Sequence, residues 1–81
     1  MHMKENLINF LYDKSYFINI YEEYVHIFNY IELISLSSKK IELKFTQFRL
    51  VIDGNNLFIN KMCANELLIK GQITKVGFFY E

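Results

Sequence analysis

Proline and tryptophan are absent from this 81-residue chain, cysteine occurs once, as Cys63, arginine once, as Arg49, and glycine three times. A single cysteine excludes an intrachain disulfide and fits a reducing compartment, with the thiol itself expected to be buried and inert. Nine basic and nine acidic residues leave no net charge, so the long-range field that draws a protein to nucleic acid or anionic lipid is missing. No apolar run reaches the roughly twenty residues that span a bilayer, and no charged, apolar and small-residue series of a secretion signal opens the chain. The cytosol is the expected location. The shortage of proline beside abundant Asn, Ile, Lys, Phe and Tyr reflects an AT-rich genome rather than a mechanism.

Chemistry is equally sparse. Two histidines and one cysteine, without a cluster, give no candidate metal set. His26 shares strand parity with Tyr24 and Phe28 and is expected on a solvent-facing or partly covered surface; His2 sits beside the first methionine. Ser35, Ser37, Ser38 and Cys63 lack the strained turn and neighbouring base that a nucleophile needs. Gly54 and Gly71 match neither phosphate-binding glycine pattern and read as turn residues. Glu22, Glu23, Glu32 and Glu42 fall at turns or exposed parity and read as solvated charge. The expectation is a protein that is not an enzyme, with no catalytic, cofactor-binding or metal-binding residues and no cofactor.

What the chain has is aromatic and β-branched bulk, 52% hydrophobic and 17% aromatic, enough for one small domain to fold. Two regions follow, 1–15 and 16–81. In the first, Leu7, Ile8, Leu11 and Tyr12 recur at spacings of three and four, which predicts a short amphipathic helix over about 3–14. So short a helix must pack on its own sheet, on a partner or on a membrane surface, and the sheet is the first expectation. From Tyr16 the period becomes two, and a unit of about seventeen residues is written four times around four corners: Glu22-Glu23, Ser37 to Lys40, Asp53 to Asn56, and Lys70 to Gln72.

Folding at each corner makes a hairpin. The first sets Ile20 opposite Val25 and Ile18 opposite Ile27. The second leads from Ile34 and Leu36 back through Ile41, Leu43 and Phe45 on one face. The third, at Gly54-Asn55, sets Ile52 opposite Leu57 and Leu50 opposite Ile59, and the fourth runs out to Phe78-Phe79-Tyr80. Four hairpins predict a mainly β domain, an eight-stranded antiparallel meander curled as a half-barrel or small sandwich, with the helix over one open end. The alternative is a β-solenoid of four such repeats. The aromatic residues outnumber what so small a core can hide, which predicts an exposed apolar patch. Lys39, Lys40, Lys44, Arg49, Lys61, Lys70 and Lys75 are spread among acids without forming a basic stripe, so binding of single-stranded nucleic acid is the weaker alternative to protein contact.

The segments His26-Ile27-Phe28-Asn29, Leu36-Ser37, Ile41-Glu42-Leu43, the run from Leu50 to Ile59 and the run from Glu66 to Ile73, followed by Val76 and Phe78, resemble in order and spacing the YabP/YqfC family of sporulation proteins, the YqfC-like branch being favoured. The resemblance covers the chain from about Phe17 onward; Asp13-Lys14-Ser15 stand where a proline and a glycine are expected. It implies a non-enzymatic protein of the mother cell, acting with a membrane protein as adaptor or scaffold in forespore maturation, including cortex or coat assembly, at or near the outer forespore membrane. It carries no functional residues across. Self-assembly through unpaired edge strands is the alternative that the strand-rich composition suggests.

Overall fold

The computed structural model describes residues 16–80, and the helix expected over 3–14 lies outside the described residues. Six strands follow one another: β1 (Phe17–Ile20), β2 (Tyr24–Phe28), β3 (Glu32–Leu36), β4 (Lys40–Lys44), β5 (Phe48–Met62) and β6 (Glu66–Tyr80). They form one open antiparallel sheet in the order β1-β2-β6-β5-β4-β3. The mainly β, antiparallel expectation holds; the eight-stranded meander and the solenoid do not.

The first two hairpins form in the expected register. Ile18 pairs with Ile27 and Ile20 with Val25, and Leu36 pairs with Ile41 across the second corner. At that corner the Ser37 hydroxyl accepts from the Lys39 and Lys40 amides and donates to the Lys40 carbonyl, the local bonding that favours serine in turns.

The third and fourth corners are not turns. Asp53 to Asn56 lies inside β5 and Lys70 to Gln72 inside β6, and the two segments pair with each other, Asn55 opposite Gln72 and Gly54 opposite Ile73. Ile52 faces Val76 instead of Leu57, and Leu50 faces Phe78 instead of Ile59. The chain reverses elsewhere: between β4 and β5, where the Phe45 amide bonds the Phe48 carbonyl, and between β5 and β6, where Cys63 and Glu66 exchange backbone bonds. Residues permissive of positive φ are where the sequence puts them, but they bend strands. Asn56 has φ of 54° and Gly71 of 135°, and the register slips between Asp53 and Gly54, between Asn55 and Phe58, and between Ile59 and Lys61. Bulges of this kind sharpen the local twist and bend.

The bend folds the sheet onto itself. Fifteen extended residues would run about 50 Å, with β2 paired at one end of this ribbon through Phe28 and Glu66, and β4 at the other through Lys44 and Arg49. Yet only Asn29, Tyr30 and Ile31 connect β2 to β3, a link of at most about 14 Å. Both ends of the ribbon are bonded to that link: the Asn29 amide to the Asn65 carbonyl at 2.7 Å and the Ile31 amide to the Lys44 carbonyl at 2.8 Å. The ribbon therefore doubles back, laying β1, β2 and the adjoining halves of β6 and β5 against β3, β4 and the other halves.

All four corners meet at the fold. The Gly71 and Ile73 amides bond the Glu23 and Glu22 carbonyls, and the Gly54 and Leu57 amides bond the Lys39 and Ser38 carbonyls. The sequence repeat is thus real; two of its corners reverse the chain and two crease it. A Cβ on Gly54 would collide with the Gln72 carbonyl oxygen, and one on Gly71 would stand 2.7 Å from the Asn56 oxygen, so the crease needs glycine on both strands.

Between the layers lies one apolar cluster: Val25, Ile27, Leu67 and Ile69 from one layer, Ile41, Leu43, Leu50 and Ile52 from the other, with Phe45, Phe48 and Leu57. The first eight are fully buried, each contributing about 1.5–3 kcal/mol relative to exposure. No polar or charged residue is buried among the described residues.

Candidate interaction surfaces

Two kinds of surface are left by this fold. The sheet is open, so β1 and β3 are edges with unpaired backbone, and each carries apolar side chains into solvent: Phe17, Ile20 and, just past β1, Tyr21 on one side, Ile34 and Leu36 on the other. Edges of this composition invite a further strand.

The second is the outer face of β1 and β2. Alternation that sends Val25 and Ile27 inward turns Tyr24, His26 and Phe28 outward, where they meet residues of β1 and of the turn. Phe17 lies 5.9 Å from Phe28, His26 lies 4.6 Å from Phe28, and Tyr21 stacks on Tyr24 at 4.5 Å. The result is a strip of four aromatic rings and one imidazole, half-buried along β2 and exposed at Phe17 and Tyr21. Desolvation, aided by the neighbouring Tyr21, pushes the Tyr24 phenol above its ordinary value.

His26 anchors the strip to β6. Its Nε2 lies 2.6 Å from Glu66 Oε2, and Lys61 Nζ stands 3.6 Å from the other carboxylate oxygen. The hydrogen bond from His26 holds the Glu66 carboxyl below the usual range against the opposing effect of desolvation, with the charges of Lys61 and His26 adding to the depression. His26 is partly covered, as its parity predicts, and this contact across 40 residues is one that strand parity alone does not reveal.

On the opposite outer face Arg49 crosses the Phe79 ring, 5.7 Å from its centroid, with Nε 3.5 Å from Glu42. Glu42 also accepts from the Ser35 hydroxyl at 3.0 Å. These are geometries of support, with the serine spent on a carboxylate. A hollow of about 680 Å³ opens at the crease beside Glu22, Glu23, Phe58, Lys70 and Gln72; its carboxylates are turn residues exposed to solvent, as expected.

Cys63 corrects an expectation. It lies in the β5–β6 turn with its thiol exposed, because the reversal expected at Gly54 takes place there. His2 lies outside the described residues. Among the described residues, no group of three or more His, Cys, Asp and Glu side chains could hold a metal ion. Three of the basic residues have local partners: Lys39 donates to Asn55 at 3.0 Å, Arg49 meets Glu42 and Lys61 meets Glu66. Among the described residues no helix is long and apolar enough to cross a membrane.

Neither the curated proteins nor the solved structures contain a significant match to this chain. The model of the YabP family matches residues 18–80, which takes in all six strands but for Phe17, and it does not separate a YqfC-like branch. The alternating core, the two creased strands and both outer faces fall within that match, so the chain belongs to the YabP family.

Proposed function

We propose that this protein is a non-enzymatic adaptor or scaffold of spore formation that docks a membrane partner through the aromatic strip of β1 and β2. Membership of the YabP family fits a sporulation-related protein. The observation that carries the docking reading is the strip itself: Phe17, Tyr21, Tyr24 and Phe28 stand outward, in ring contact with one another or with His26, beside one of the two edges where an incoming strand could extend the sheet. Aromatic side chains supply large contact area at low entropic cost and dominate binding interfaces. Action in the mother-cell cytoplasm, peripheral to the outer forespore membrane and in cortex or coat assembly, follows from this reading together with the family.

The test is a double substitution, Phe17→Glu with Tyr21→Glu, made on exposed side chains so that the core is untouched. We expect loss of co-purification with the membrane fraction of sporulating cells, at least tenfold on the order of two exchanged hot-spot contacts, with unchanged circular dichroism. Undiminished co-purification would overturn the reading.

A further inference from the structure

The two layers of the folded sheet do not end together. Residues paired directly across β5 and β6 share a face, so Val76, Phe78 and Tyr80, opposite Ile52, Leu50 and Phe48, all belong to the inner face. Ile52 and Leu50 are fully buried and Phe48 nearly so, yet exposure climbs along β6 from half-buried Val76 to 42% at Phe78 and 68% at Tyr80. Backbone pairing is one-sided there as well, because β2 reaches β6 only over Glu66 to Lys70. An outward aromatic residue can belong in solvent. An inward one that is uncovered marks a core lacking its other half.

The chain itself approaches this gap. Tyr16, the first described residue, sets its ring edge-on to Phe45 and Phe48 at 5.4 and 5.1 Å. Phe48 in turn lies 5.3 Å from Phe78 and 5.4 Å from Tyr80. The fifteen residues before Tyr16 therefore start two ring contacts from the uncovered positions, and Leu7, Ile8, Leu11 and Tyr12 give them an apolar stripe at helical spacing. Ser15 alone joins the segment 3–14 to Tyr16, which holds its end within about 7 Å of Tyr16, and twelve helical residues run about 18 Å, the width of roughly four strands. A helix this short is marginal without an apolar surface to lie on. The open end is such a surface, and Tyr16 packs on Phe48 beside it.

We propose that the segment 3–14 docks in cis on the open end of the sheet, laying Leu7 and Leu11 over Phe78 and Tyr80. The surface is then an internal docking site occupied by the chain's own N-terminal segment. It is separate from the outer strip of β1 and β2, so this inference stands or falls independently of the partner reading.

Hydrogen exchange on the full chain tests it. In the variant Leu7→Asp with Leu11→Asp, amides of Val76 to Tyr80 should exchange faster by roughly tenfold or more, while those of Val25 to Ile27 and Leu67 to Ile69 keep their protection. Unchanged exchange at Val76 to Tyr80 would overturn the proposal. A second measurement does not depend on the stability of that variant. With Cys63→Ser, the pair Leu11→Cys and Tyr80→Cys should form an intrachain disulfide under mild oxidation, whereas Leu11→Cys with Phe58→Cys, at the crease, should not. Disulfide-linked dimers in place of the intrachain bond would assign the open end to a second copy, and no bond at all would leave it to another occupant; either overturns docking in cis.

Discussion

At Gly71 the backbone is held at φ of 135° with the Asn56 oxygen 2.7 Å from where a Cβ would stand. Alanine there must accept both a conformation that L residues avoid and a collision with backbone that cannot swing aside. Gly71→Ala should cost about 2–3 kcal/mol, a fall in Tm of roughly 10–20 °C for a domain this small. Gly77→Ala is the control, because its methyl group meets only the Phe79 ring, which can turn, and thermal melts should separate the two clearly. The Glu66 carboxylate offers a different test. Its folded value is depressed, chiefly by the bond from His26, so the stability it contributes is present above the unfolded value of about 4.3 and is lost as pH falls through the folded value. Glu66→Gln should therefore be less stable than the parent in urea titrations at pH 7, and the gap should narrow as pH falls below the unfolded value.

Among the elements, β5 and β6 distinguish a crease from a turn. Two glycines inserted after Ala64 lengthen a true hairpin loop, where even doubling a loop costs only about 0.6 kcal/mol. The same insertion after Asn55 shifts Phe58 to Met62 against Leu67 to Lys70 and parts the crease from the Ser38 carbonyl that holds Leu57, so it should abolish the cooperative urea transition that the first variant keeps. Strand periods made β1 to β4 legible in the sequence, down to Ile18 opposite Ile27, because a one-residue slip would turn a whole apolar face to water. Gly54 and Gly71 misled because glycine serves a bulge, through close backbone approach at Gly54 and positive φ at Gly71, as well as a hairpin corner. The distinguishing signal is a change of phase. Inward positions run Phe48, Leu50, Ile52 and then Leu57, Ile59; on β6 they run Leu67, Ile69, Ile73 and then Val76, Phe78, and a slipped parity within a continuous apolar run is the mark of an inserted residue. The true reversals, Phe45 to Phe48 and Cys63 to Glu66, carry no glycine, so nothing local announces them. Of the interaction strip, the outward parity of Tyr24, His26 and Phe28 was legible; its coupling to Glu66 was not, since it depends on which strand β2 pairs with.

For the molecule as a whole, zero net charge removes the mutual repulsion that keeps copies apart, while two apolar edges remain open. That favours the second reading of function, assembly of copies edge to edge into rings or filaments. Light scattering across a hundredfold range of concentration decides it: growth in mass that Ile20→Lys and Leu36→Lys suppress would support assembly, and a monomer at every concentration would exclude it. The strand order has one more consequence, for synthesis. β3, β4 and the first half of β5 are neighbours in sequence and can pair as they leave the ribosome, but β1 and β2 find their partner only in β6, with Tyr24 waiting for Lys70. Until the last strand emerges, the first hairpin lacks the strand that joins it to the sheet, so the nascent chain is two unjoined pieces of one sheet, and a slow, late closing step is built into the topology.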